Sequence, residues 1–147
     1  MRIKPKFILK ELAVLAAIFL LAYFGNQQVQ SWLGQKAIEN TGFEHISLDA
    51  ALEKAAAEDK QVLVDFAAIW CAFCRKLDNK ILANPEVQKQ IDAGYVFTRL
   101  EYESDHRAVF QQYGITQFPT LMVLDPTGKA IRKLRVTLEP EVFIQQL

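Results

Sequence analysis

Apolar residues run unbroken from Leu12 to Phe24 (LAVLAAIFLLAYF) behind a basic stretch, long enough for a helix with no polar face. From Gln27 to Asn40 apolar residues are scattered among polar ones. That pattern predicts a continuation of the first helix that becomes a linker, broken at Thr41-Gly42. Phe43 to Ile46 is a short strand candidate. Ser47 can cap a helix from Leu48 to Asp59, since Leu48, Ala51, Leu52, Ala55 and Ala56 share one face. Gln61 to Phe66 is a nearly continuous apolar run, as in a buried central strand. Arg75 to Leu82 reads as helix. Asn84-Pro85-Glu86 opens another that ends near Gly94. Tyr95 to Glu101 is a strand. Ser104 can cap a helix from Asp105 to Tyr113, closed by Gly114. Thr120 to Leu124, the turn Asp125-Pro126-Thr127-Gly128, and Ala130 to Val136 form a hairpin. Glu139-Pro140-Glu141 opens a last helix that runs to Leu147. The order β-α-β-α-α-β-α-β-β-α describes an α/β sandwich with a mixed central sheet. The chain divides into a helix over residues 1–34, a linker over 35–42 and a globular domain over 43–147.

The N-terminal run has two readings. A secretory signal has a basic start, an apolar stretch of this length and small residues at the cleavage site. Here bulky Tyr23 and Phe24 precede Gly25-Asn26, a poor site. A membrane anchor needs roughly 17–25 residues. Phe7 to Phe24 supplies 18, interrupted by Lys10 and Glu11, with Trp32 as a candidate far boundary. The expectation is an uncleaved single-pass anchor in a cytoplasmic membrane. The basic flank puts the N-terminus in the cytoplasm and the domain in the periplasm or outside.

Charge supports that division. Net charge is zero, yet the first eleven residues hold Arg2, Lys4, Lys6 and Lys10 against Glu11 alone. From Asn26 onward there are 13 basic and 16 acidic residues, a balance of −3 with no nucleic-acid footprint. The six glycines do not cluster, so there is no phosphate loop.

The chemistry concentrates in Trp70-Cys71-Ala72-Phe73-Cys74, which holds the only two cysteines. The pair is redox-active or half of a zinc site. Zinc would need two further ligands, and His45 and His106 are far away in sequence. A cysteine at a strand-to-helix junction meets unpaired N–H groups and a positive dipole end, which lower its pKa. Cys71 is therefore the expected nucleophile. Asp65 interrupts an apolar strand. Desolvation there should raise its pKa, fitting a proton acceptor and donor for Cys74. A strand-end carboxylate facing water is the alternative. Asp78, four residues after Cys74, shares its helix face and could tune the thiols or be an ordinary surface group. Glu101 and Glu103 alternate onto one strand face and read as a solvated strand end. Arg132, Lys133 and Arg135 read as the solvent side of an outer strand.

The stretches VLVDFAAIWCAFC and YGITQFPTLMVLDPTGK together resemble the thioredoxin superfamily over residues 43–147. Three separated features carry the resemblance: Asp65 six residues before Cys71, Trp-Cys-x-x-Cys, and Gly-Ile-x-x-x-Pro-Thr leading into a strand and hairpin. Within the superfamily the chain is most similar to the periplasmic C-terminal domain of the disulfide interchange protein DsbD and to related membrane-anchored proteins. The shared traits are the Asn-Pro-Glu helix and the acidic residue at 78. The resemblance implies a thioredoxin-like fold behind one transmembrane helix, attack by Cys71, resolution by Cys74 and a cis bond before Pro119. A cis bond would bare the backbone at Phe118 for an incoming substrate strand. Trp70, Phe73 and Phe118 would then collar Cys71. The expected activity is thiol–disulfide exchange with protein substrates and a further redox partner, without metal or cofactor. Ala72-Phe73 puts no histidine between the cysteines, which inclines the site to a reductant or electron relay. An oxidase or isomerase of the same fold is one alternative. A tethered assembly factor for cytochrome or metal-site thiols is another.

Overall fold

The computed structural model describes residues 5–102 and 106–147. In chain order the elements are α1 (Pro5–Thr41), α2 (Leu48–Glu58), β1 (Gln61–Ala67), α3 (Ala72–Leu77), a π turn (Asp78–Leu82), α4 (Pro85–Gly94), β2 (Tyr95–Glu101), α5 (Arg107–Gln112), β3 (Thr120–Leu124), β4 (Ala130–Leu134) and α6 (Pro140–Ile144). The sheet order is β2-β1-β3-β4. β1 and β2 are parallel, while β3 runs antiparallel to both β1 and β4. This is the mixed α/β sandwich of the thioredoxin-like fold.

β1 lies inside the sheet and is buried from Val62 to Ala67, hence its apolar run. Alternation splits its side chains between two cores. Val62, Val64 and Phe66 pack with Ala51 and Ala55 of α2 and Phe110 of α5. Leu63 packs on the opposite face with Leu77 of α3, Ile81 and Leu82 of the π turn, Ile91 of α4 and Phe143 of α6. Asp65 has the parity of Leu63, so it lies under the active-site helix.

Local chemistry sets the element ends. Ser47 Oγ accepts from the Ala50 N–H at 3.2 Å. Asn84 Oδ1 accepts from the N–H groups of Glu86 and Val87, with Pro85 at the first helical position. Asp125 Oδ1 gathers Thr127 N, Thr127 Oγ1 and Lys129 N, and Gly128 takes φ +84°.

Several elements depart from the expected ones. Phe43 to Ile46 is not a strand. It passes the edge of β2 with one side-chain bond, Thr98 Oγ1 to the Ile46 carbonyl at 2.7 Å, while Phe43 stacks on Phe97. The single helix expected to Leu82 turns π-helical at Asp78, where the Ala83 N–H reaches back five residues to the Asp78 carbonyl. β4 stops at Leu134, because the Arg135 N–H donates to the Gln146 side chain at 2.7 Å. Ser104 and Asp105, the expected start of α5, lie outside the described residues.

α1 holds the largest departure. Residues 35–42, expected as a linker, are helical to Thr41 and packed on the domain. Ala37, Ile38 and Thr41 are buried, Asn40 donates to Asn79 Oδ1 at 2.9 Å, and Gln88 donates to the Thr41 carbonyl at 2.5 Å. Gly34 permits this approach, since a Cβ there would collide with the Ile69 carbonyl oxygen. The other end of α1 is bare: Ile18, Phe19, Leu21 and Phe24 are all exposed. Among the described residues it is the one helix long and apolar enough to cross a membrane. Asn84→Ala should destabilise the chain by about 1 kcal/mol in urea denaturation and leave disulfide exchange rates unchanged.

Candidate active site

Cys71 caps the N-terminus of α3 and is joined to Cys74 as a disulfide, with Cα atoms 5.3 Å apart. The Cys74 N–H donates to Cys71 Sγ at 3.1 Å. Cys71 keeps 9% of its surface and Cys74 none. An incoming sulfur can therefore reach only the first of the pair. Both pack with Ala67 and Ala68 at the end of β1, two residues beyond Asp65.

On the face of the sheet that packs against α3 lies a cluster of three carboxyl groups around one guanidinium. Arg99 Nη1 donates to Asp65 Oδ2 at 2.8 Å and to Asp78 Oδ1 at 2.7 Å, and Nε donates to Glu101 Oε1 at 2.6 Å. The sheet register supplies the first contact, because Asp65 of β1 sits opposite Arg99 of β2. The π turn supplies the second by bringing Asp78 inward. Asp65 and Asp78 are fully buried. Asp65 Oδ1, Asp78 Oδ2 and Glu101 Oε2 are buried without a hydrogen-bond partner among the described residues. One cation cannot fully compensate two buried aspartates together with the half-buried Glu101, so the two aspartates favour holding protons. Burial pushes the Asp65 carboxyl up to about 7, against the pull of Arg99, with Asp78 and Glu101 adding repulsion. Burial likewise raises Asp78 to about 6, again opposed by Arg99. Burial would lower Arg99, but its carboxylate neighbours more than reverse this and raise it. Asp78 is thus a buried partner of Asp65, and the water-facing alternative for Asp65 does not hold.

Two members of the cluster escape a reading by sequence pattern. Arg99 shares the parity of core residues Tyr95 and Phe97, and a cation at such a strand position was the available signal. Glu101, set aside as a solvated strand end, is drawn inward by Arg99. Glu103 lies outside the described residues. Arg132 is spent on the Gln146 carbonyl and the Tyr95 hydroxyl, and β4 is exposed from Ala130 to Lys133.

At the surface, Trp70 and Phe73 are exposed and Phe118 is half-buried. Trp70 and Phe118 meet edge-to-face at 6.0 Å, and Tyr102, an unforeseen member, lies 5.2 Å from Phe118. Phe118 also packs on the cluster that contains both cysteines. The Phe118–Pro119 bond is cis, as the resemblance implies. His106 Nδ1 lies 3.0 Å from the Glu101 carbonyl.

This sheet, with a helix-capping disulfide over buried carboxyls, defines a thiol–disulfide oxidoreductase of thioredoxin-like architecture. The chain belongs to the thioredoxin-like domain family, which it matches over residues 48–147. Among its relatives is the thiol:disulfide interchange protein DsbD of Yersinia pestis, 25% identical over 151 residues that cover 93% of this chain and 24% of the relative. DsbD 2 of Pseudomonas aeruginosa is 33% identical over 63% of this chain and 16% of its own length. The chain thus spans about a quarter or less of these relatives. The oxidised C-terminal domain of Neisseria meningitidis DsbD is 28% identical, with a TM-score of 0.56 over 67% of this chain and 89% of that one. A Thermus thermophilus thioredoxin shares the fold, with a TM-score of 0.61 and 19% identity over 71% of this chain and 82% of that one.

Between the ordinary carboxyl value and about 7, folded Asp65 holds a proton that the unfolded chain has lost. Stability should therefore fall as pH rises from about 4 to about 7. Asp65→Asn should flatten that slope in chemical denaturation across pH. Arg99→Met strands the carboxylates and should cost about 3–5 kcal/mol at pH 8. At pH 5, below the values of Asp65 and Asp78, the loss should be smaller.

Proposed function

We propose that the protein is a membrane-anchored thiol–disulfide oxidoreductase that passes electrons to protein disulfides as a reductant or relay. The observation that carries this is the Cys71–Cys74 disulfide, of which only Cys71 reaches the surface, at the end of the strand that holds buried Asp65. The Cys71 thiolate attacks a substrate disulfide, forming a mixed disulfide and expelling one substrate thiolate. The Asp65 carboxylate takes the Cys74 proton. The Cys74 thiolate then attacks Cys71 Sγ and releases the second substrate sulfur. Two electrons pass to the substrate, and the chain is left as the disulfide. A separate dithiol partner re-reduces it. Asp65, poised near neutrality, can accept the proton in one half-cycle and return it in the other. Asp78 tunes it through Arg99. The collar of Trp70, Phe73 and Phe118 with Pro119 receives an extended cysteine-bearing segment.

The bare apolar face of α1 and the basic residues before it support the anchor. The domain then lies in the periplasm or outside. Full-length chain should fractionate with membranes and retain Met1 to Gly25; a soluble product beginning near Asn26 would show a cleaved signal instead. The absence of a histidine between the cysteines supports the reducing direction. Equilibration with glutathione should give a potential nearer the roughly −270 mV of thioredoxin than the −120 mV of strong oxidants.

A Cys74→Ser chain should accumulate mixed disulfides through Cys71. Many captured clients support a general reductant, a single client an assembly factor, and none would refute the exchange reaction. Asp65→Asn should slow mixed-disulfide resolution at pH 7 by about 100-fold, measured in single turnover.

A further inference from the structure

The end of α1 does more than connect anchor to domain. Gly34 lies against the Ile69 carbonyl and side chain, two residues before Cys71, with Ile69 Cδ1 2.8 Å from where a Cβ would stand. One turn on, Ile38 is 5% exposed. Ile38 and Gln35 form one wall of a cleft of about 260 Å³ whose other sides are His45, Ile69, Arg99 and Glu101. This cleft reaches the Arg99 cluster from the flank of the domain.

We propose that Gly34 and Ile38 of the juxtamembrane helix are positioning residues of the redox site. They hold the loop before Cys71 and limit water access to the Asp65–Arg99–Asp78 cluster. The inference rests on the proton-handling role proposed for Asp65. The charged groups acting on Asp65 are Arg99 and Glu101 from β2 and Asp78 from the π turn. His45 stands on the cleft rim. From α1 the cleft receives only neutral Gln35 and Ile38. Opening the α1 wall therefore changes hydration without removing a charge, and extra water favours the ionised carboxylate.

The test uses full-length chain in lipid nanodiscs. The protonated-carboxyl infrared band is titrated from pH 4 to 9, with Asp65→Asn identifying its component. Ile38→Gln and Gly34→Ala should each move the Asp65 midpoint down by about one unit. Ile38→Leu should leave it in place. Thermal melts establish that each chain is folded, and Ile38→Ala replaces any variant that is not. An unmoved midpoint in the folded variants would overturn the proposal, as would an equal shift with Ile38→Leu. The pH profile of mixed-disulfide resolution separates the two ideas. If the infrared midpoint moves while Asp65→Asn leaves the rate profile unaltered, the role of Asp65 in exchange fails and the wall stands.

Discussion

The Arg99 guanidinium holds together parts of the molecule that would otherwise repel one another. Asp65 belongs to the central strand, Asp78 to the turn after the active-site helix, and Glu101 to the edge strand, and all three bond to it. A lone carboxylate in β1 would be expelled or neutralised, because removing it from water costs several kcal/mol. Two such groups on one face could not both remain charged. The planar fork of arginine can serve several carboxylates at once, where a compact ammonium could not do so with the same geometry. The inward placement of Asp65 and Asp78 therefore depends on one cation at one register position, opposite Asp65.

That arrangement leaves the cluster short of positive charge, and the shortage is chemically useful. A carboxyl stabilised fully by arginine would have a depressed pKa and could never hold a proton near neutrality. One buried without a partner would stay protonated and could never accept one. Burial here outweighs the arginine, and Asp65 sits at about 7. A group at that value can act as base or acid at the same pH, which is the property the proton-handling role proposed for Asp65 needs. Asp78 contributes through repulsion as well as by occupying half of Nη1, so the tuning belongs to the cluster and not to one residue.

Much of this was legible in the sequence, and the gaps have physical causes. Continuous apolar runs located β1 and β3, and the caps at Ser47 and Asn84 announced themselves by residue type. The Cys71–Cys74 pair, Asp65 and Pro119 were found by spacing and family likeness. Arg99 and Glu101 were missed because their meaning is a register between strands 34 residues apart, which no local pattern encodes. The π turn was missed because a helical face looks the same in sequence with one extra residue. Residues 35–42 read as a linker because their apolar positions are few. Their contact is made by few residues, buried Ala37, Ile38 and Thr41 with the polar Asn40, and it depends on the close approach that Gly34 just before them allows.

The continuity of α1 gives the site a fixed place in the arrangement proposed above. Gly34 lies ten helical steps beyond Phe24, the end of the apolar run, and at 1.5 Å per step the two are about 15 Å apart. The headgroup layer takes up about 5–7 Å of that. Asn26, Gln27 and Gln30 fill the interval and share a cleft with Trp70. On that side Trp70 faces a polar stretch of α1, and with α1 as an anchor the site would stand close above the bilayer without the freedom of a domain on a flexible tether. A flexible tether would let Cys71 sample clients in any orientation. A rigid one raises the effective concentration of targets held at the same height and excludes folded bodies from the helix side. In that arrangement, residues that look like mere spacer would limit which disulfides approach Cys71 as well as line the cleft that leads to Arg99.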